Sequence, residues 1–305
     1  MRLEPAIPVA NRDEMTEEEW LSLRRKGIGG SDVAGVLRLS KWKTPLSVWF
    51  DKVEGGENEQ SIAAELGHVL EPYLHSKVVP WFAENDGVTV EFYNNCHVYQ
   101  HPEYPFLMVN LDDAIHHPDK GSGVIEYKTA SEWVREEWGE GELPDAYYAQ
   151  VQFQMEVMGS EHAWVFALIG NRSIEVRYVP RNQDFIDRMV AECVAFWETF
   201  VLTAEPPGPT GQEMDEEILR LIYPGGDEDV LELDMEAQHE RYKTLTQAAK
   251  DIEKEVDLLK QEFMAAMGNR EIAMVGESKV TWKTSHRKGY TRVVEPKDIR
   301  TFRIW

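Results

Sequence analysis

Apolar residues change their spacing several times along this chain, and each change marks an element. Thr16-Glu17-Glu18-Glu19 has the form of a capping box, with Met15 and Trp20 placed as a hydrophobic staple, so a short helix is predicted to run from there to Gly27. Gly27-Ile28-Gly29-Gly30-Ser31-Asp32 reads as a flexible turn leading into a second helix, Val33 to Leu39. Residues 54–60 are a polar loop. From 61 to 79, Leu66, Leu70, Tyr73, Leu74 and Val78 recur at helical spacing. The centre then turns strand-like, over 88–100, 106–116 and 123–129, the last two joined by a turn holding Pro118, Asp119, Lys120 and Gly121. A helix over 145–158, a strand over 163–169, a Gly170-Asn171 hairpin into 173–179 and a helix over 182–203 follow. This order predicts an α/β core, a central mixed β-sheet flanked by helices, rather than a series of βαβ repeats.

Glu205-Pro206-Pro207-Gly208-Pro209 is the clearest linker, and it separates an expected domain at 1–208 from an appendage at 212–305. Within the appendage Tyr242, Leu245, Ala249, Ile252, Val256, Leu259, Phe263 and Ala266 alternate steps of three and four. That spacing is a heptad seam on one long helix, 233–267, suited to packing or oligomerisation. Two short strand-like runs, 272–275 and 278–284, come after Gly268-Asn269.

Composition narrows the class. The 305 residues are 42% hydrophobic, enough for a substantial core, and no apolar run is long enough to span a membrane. The N-terminal residues lack the apolar stretch of a secretory signal. Two cysteines, Cys96 and Cys193, stand far apart, which excludes a four-cysteine metal site and fits a reducing cytoplasm. A net charge of −23 argues against phosphate binding by the molecule as a whole, although from Lys279 onward eight Lys/Arg face two acids. In that tail Trp282, Tyr290, Phe302 and Trp305 interleave with the cations, a composition suited equally to single-stranded DNA and to a solvated basic face.

Chemistry concentrates in the central strands. Asp112 lies on one strand-like run and Glu126-Tyr127-Lys128 on the next; strand alternation turns Glu126 and Lys128 to one face and Ile125 and Tyr127 to the other. Hairpin pairing would bring Asp112 to the same point. Two carboxylates and an ammonium suit Mg²⁺-assisted phosphodiester hydrolysis, with Lys128 positioning or helping to deprotonate a water, or offsetting charge on phosphorus. Taken alone, the pattern is also that of an ordinary ion pair. Asp113 is the competing ligand, disfavoured because its side chain falls on the opposite face. Gly67-x-x-x-Glu71 adds a helical carboxylate after a glycine that permits close approach. Tyr147, Gln150 and Gln154 share one helix face. Arg24 and Ser31 flank a helix start that favours an anion. Adjacent His116 and His117 face opposite sides of a strand and so do not ligate jointly.

These residues, in this order, resemble the YqaJ-type viral recombinase nucleases, relatives of phage lambda exonuclease within the PD-(D/E)xK superfamily. The resemblance covers Trp20 to Phe200. Trp20, Arg24 and Ser31 reproduce the family's N-terminal spacing, in which that Arg and Ser hold a DNA 5′-phosphate. Gly67-x-x-x-Glu71 matches the helical acid, Asp112 the first metal ligand, and Glu126-x-Lys128 the E-x-K motif. Tyr147-x-x-Gln150-x-Gln152 matches the helical Gln motif, whose role falls first to Gln150. Leu111 replaces the proline often found before the aspartate.

The resemblance implies a restriction-endonuclease-like core with a C-terminal helical, coiled-coil-like appendage. It implies Mg²⁺, replaceable by Mn²⁺, held by Asp112, Glu126 and the Tyr127 backbone carbonyl, with Glu71 binding a second metal or its water. The expected activity is 5′→3′ exonuclease action on double-stranded DNA ends, leaving 3′ single strands for a single-strand-annealing recombinase. Also implied are a ring-shaped homotrimer, whose outer face can be acidic around a basic channel, and a phage-encoded protein of the bacterial cytoplasm. A structure-selective or nicking endonuclease would use the same core, and an acidic scaffold or DNA mimic would explain the charge without catalysis.

Overall fold

The computed structural model describes residues 6–56, 62–93, 96–139, 141–226, 229–289 and 302. In chain order the elements are β1 (Ile7–Asn11), α1 (Glu17–Arg25), α2 (Gly30–Val36), α3 (Pro45–Val53), α4 (Ile62–Asn85), β2 (Glu91–Phe92), β3 (His97–Gln100), β4 (Met108–Asn110), β5 (Asp113–His117) and β6 (Gly121–Ala130). There follow α5 (Asp145–Met158), β7 (His162–Ile169), β8 (Ser173–Pro180), α6 (Gln183–Phe196), α7 (Glu213–Ile222), α8 (Glu236–Met267), β9 (Ile272–Val275) and β10 (Ser278–Thr281). The chain divides into two units, Met1–Tyr223 and Pro224–Trp305. The Pro/Gly run at 205–211 does not close the first unit, because α7 follows it and packs against α3.

Local chemistry accounts for most of the boundaries. Thr16 and Glu19 form the expected capping box. Thr44 caps α3 and Pro45 occupies its first turn, where a missing N–H costs nothing. Gly159 ends α5 in the left-handed conformation. Gly170 and Asn171, at φ +58° and +56°, make the tight turn between β7 and β8.

A five-stranded sheet, ordered β2-β5-β6-β7-β8, forms the centre; only β6 and β7 run parallel, joined by α5 as the crossover. The sheet is mixed and flanked by helices, as the order of elements predicts. Its faces are distinct. On one, Ile115, Ile125, Tyr127, Trp164 and Phe166 pack with Leu74, Val78 and Phe82 of α4. On the other, the smaller Val124, Ala163, Val165 and Ala167 join the core that contains Val151 and Met155 of α5. The exposed Leu66 and Tyr73 show that the buried stripe of α4 lies further along the helix than the sequence pattern places it.

The expected strand at 106–116 is two strands in two sheets. β4 belongs to a separate three-stranded sheet with β1 and β3, and β5 to the central one. The chain bends between them at Leu111-Asp112. Among the described residues no helix is long and apolar enough to cross a membrane. In the second unit, Gly268 ends α8 and β9 pairs with β10 as a hairpin, Val275 opposite Ser278. Of the basic tail, Tyr290, Arg292, Lys297, Arg300, Arg303 and Trp305 lie outside the described residues.

Candidate active site

The site is built where β6 loses a neighbour. β5 pairs with β6 only as far as Asp113 opposite Ile125, so from Glu126 onward that edge of β6 is open. Asp112, on the bend just before β5, fills the gap: its Oδ2 accepts the Tyr127 N–H at 2.7 Å. Because N–H and C=O of one strand residue point to the same edge, the Tyr127 carbonyl faces this opening as well.

Glu126 is 3% exposed and is held by three donors. Lys128 Nζ donates to its Oε1 at 2.5 Å and Gln150 Nε2 to the same oxygen at 2.6 Å, while Gln154 Nε2 donates to Oε2 at 2.6 Å. The Lys128 ammonium lies 5.1 Å from the centre of the Tyr147 ring. Thus the strand face and the α5 face expected from the sequence do meet. Gln152 is different: it turns away, donating to the Pro180 carbonyl and accepting from Asn182 N–H, so the second amide at the site is Gln154. Asp113 is also turned away, receiving the Tyr127 hydroxyl at 2.5 Å and pairing with His75 at 2.7 Å.

Charge is unbalanced in this pocket. Burial, reinforced by the Glu126 charge, pushes the Asp112 carboxyl well above the usual range. For Lys128 burial favours the neutral amine, but Glu126 and Asp112 outweigh it and raise its pKa, so the group stays an ammonium. A divalent cation would relieve the two carboxylates. The donors fit one: hard oxygens from Asp112 and Glu126, and the buried Gln154 Oε1, which has no hydrogen-bond partner. Among the described residues no three His, Cys, Asp or Glu side chains form a ready metal cluster. Glu71 stands further out, 41% exposed and paired with His68 at 3.0 Å.

A second group borders the same cavity. Arg24 Nη2 donates to Ser31 Oγ at 3.1 Å, and Arg24 also lies over the Trp20 ring. Behind them is an ion cluster that the sequence reading missed. Asp32, 1% exposed, pairs with Lys43 at 2.6 Å and Lys52 at 2.7 Å; Lys52 has no exposed side-chain surface and donates to the Arg24 carbonyl at 3.0 Å. Burial alone would raise the Asp32 carboxyl, yet Lys43, Lys52 and Arg24 hold it well below the usual carboxylate range. The sequence gives one clue to α3, the Thr44-Pro45-x-Ser47 cap, but none to the burial of its last-turn lysine.

The glycine-rich segment is not a flexible turn. Ile28 bridges to the 106–108 segment, its N–H donating to Phe106 O at 2.7 Å and its carbonyl accepting from Met108 N at 3.0 Å. A Cβ on Gly27 would collide with the Phe106 carbonyl, and one on Gly30 would sit 3.3 Å from Gln150 Cγ. Gly67, by contrast, has no close approach to protect: its Cβ would meet Thr129 Oγ1 at an ordinary 3.7 Å.

Arg24, Ser31, Glu71, Asp112, Glu126, Tyr127, Lys128, Gln150 and Gln154 all line one cavity of about 270 Å³. The family model of the YqaJ-like viral recombinase domain matches residues 19–161, a span that holds every one of them. The uncharacterized protein YqaJ of Bacillus subtilis (strain 168) is 31% identical over 284 residues, covering 90% of this chain and 86% of its own. The chain belongs to the YqaJ-like viral recombinase family. More distant likenesses are to solved structures. One is an alkaline exonuclease from Laribacter hongkongensis in complex with dAMP (20% identity, TM-score 0.48, 67% of this chain and 95% of that one). Another is a phage-related exonuclease from Haemophilus somnus 129PT (11% identity, TM-score 0.39, 61% and 98%). The YqaJ-like span ends at the α5–β7 junction, so β7, β8 and α6 complete the sheet and its cover from outside it.

Proposed function

We propose that this protein is a Mg²⁺-dependent DNA exonuclease that degrades the 5′-ended strand of double-stranded ends and leaves 3′ single strands. The observation that carries the reading is the convergence of Asp112, Glu126, Lys128 and Gln150 at the open edge of β6, in a cavity shared with Arg24 and Ser31. Asp112, Glu126 and the Tyr127 carbonyl are the ligands we assign to the metal, with Gln154 Oε1 available to it and Glu71 to a second metal or its water. Mg²⁺, or Mn²⁺ in its place, supplies charge compensation for the phosphodiester and acidifies a bound water when present.

The chain's own groups do the rest. Lys128, held as an ammonium by the Glu126 and Asp112 charges, orients the attacking water and offsets charge on phosphorus. Gln150 and Gln154 fix the Glu126 carboxylate and steady a water or phosphate oxygen beside it. Arg24 and Ser31 hold the 5′-phosphate of the strand end, which sets the direction of digestion. The product would pass to a single-strand-annealing recombinase. Three copies closing into a ring would place the acidic surface outside and the cavities toward DNA, in the host cytoplasm where phage DNA ends are processed.

Digestion of linear and covalently closed circular duplex, by wild type and Lys128→Ala, with and without Mg²⁺, tests the reading. Loss of the linear form alone, abolished by the mutation and by metal removal, is expected. Cutting of closed circles would shift the assignment to an endonuclease. No hydrolysis in any divalent metal would leave a binding or scaffold role.

A further inference from the structure

Among the described residues, the long helix of the second unit carries a seam that its own chain leaves uncovered beyond Tyr242, whose ring meets Phe302 edge-on. Tyr242, Leu245, Ile252, Val256, Leu259 and Phe263 are 46, 51, 62, 42, 48 and 44% exposed, and Ala249 and Ala266 between them are exposed too. Written as heptads, Tyr242, Ala249, Val256 and Phe263 take the a positions and Leu245, Ile252, Leu259 and Ala266 the d positions. The seam is unbroken within α8. Three and a half heptads of a/d residues on an otherwise charged helix are the pattern of a coiled-coil strand, and such a stripe in water favours a partner of the same period.

The charges beside the seam say which partner and which way round. In a parallel pair each g residue faces the e residue five positions on in the other helix. Here that sets Glu255 against Lys260 of the other copy, twice by symmetry. The remaining facing pairs (Arg241–Thr246, Ala248–Glu253, Glu262–Met267) bring no like charges together. An antiparallel pair that used all eight seam residues would instead place Glu255 against Glu255 and Glu253 against Glu253. Sliding it by one heptad brings Arg241 to Glu262 but strands Phe263 and Ala266 without a layer. We propose that α8 pairs in parallel and in register with α8 of a second copy of this chain. Parallel pairing relates two copies by a two-fold rotation about the coil, so it is a contact separate from the one that would close a ring of three, and it does not depend on the nuclease reading.

Sedimentation equilibrium of the full-length chain over a range of concentrations tests this. Glu255→Lys alone and Lys260→Glu alone should each weaken association by about tenfold, since two facing pairs turn from attraction to repulsion. The double exchange should restore it. Ile252→Glu with Leu259→Glu should abolish the α8-dependent association, and circular dichroism of the same samples reports whether the rest of the fold persists. Ala266→Cys should form an intermolecular disulfide on air oxidation, because only the parallel register sets the two positions opposite each other. Masses unchanged in the seam variant would overturn the interface. Failure of the double exchange to recover, or absence of the Ala266→Cys cross-link in an associating protein, would overturn the parallel register.

Discussion

The Lys52 ammonium is enclosed between Asp32 and the Arg24 carbonyl, so it links a buried charge to the backbone of the proposed phosphate anchor. Without Lys52 the buried Asp32 keeps only Lys43 of its two lysines, and the Arg24 carbonyl loses its donor. Lys52→Met should therefore destabilise by less than the ~3–5 kcal/mol of a buried charge left with no partner, read as a drop in the denaturant midpoint. If the cluster also positions Arg24, the same variant should narrow the ratio of activity on 5′-phosphorylated over 5′-hydroxyl ends. An unchanged ratio would confine Lys52 to stability. Arg24→Ala should reduce digestion of 5′-phosphorylated ends more than of 5′-hydroxyl ends, and equal losses would remove the assigned role. Glu126, Lys128 and Gln150 could be read from the sequence because strand and helix periods fix which way they face. Asp112 is marked instead by its spacing from Glu126, and it reaches the site from a bend that no strand period describes. Lys52 could not be read, since its burial depends on α3 closing over α1 and α2, a contact that no local period encodes.

At the level of elements, two glycines that look alike in sequence should behave oppositely. Gly27 is pressed against the Phe106 carbonyl where the α1–α2 junction bridges to the 106–108 segment, so Gly27→Ala should destabilise by about 1–3 kcal/mol. Gly67 sits inside α4 with room for a methyl group, and Gly67→Ala should stabilise by about 0.5–1 kcal/mol through helix propensity. Thermal melts of both variants decide it; a destabilised Gly67→Ala would mean that α4 needs the backbone freedom after all. The helices α1 and α5 and the β7–β8 hairpin were legible because caps, an apolar period and a Gly-Asn turn mark them locally. The break between β4 and β5 was not. Residues 106–116 keep a strand-like composition throughout, and only pairing with β3 on one side and β6 on the other divides them.

For the molecule as a whole, acid should act through a few depressed carboxylates. The Asp32 carboxyl titrates well below its unfolded value, so the stability it contributes is complete above about pH 4 and is lost as pH falls through its folded pKa. Glu156, lowered first by its hydrogen bond with His101 and further by Arg181, behaves in the same sense. Asp32→Asn should thus melt far below wild type at neutral pH, and the gap should shrink as pH drops below about 4; a gap independent of pH would contradict this. The central sheet also limits which changes of length the chain can accept. Glu126 and Lys128 face the cavity while Ile125 and Tyr127 face the α4 core, an arrangement fixed by counting residues from the 118–120 turn. Deleting one residue between Gly121 and Ile125 while the rest of the pairing held would exchange the two sets, sending an acid and an amine among aromatic rings. In a lineage of such chains, single-residue gaps are therefore to be expected in the loops at either end of β6 and not within it.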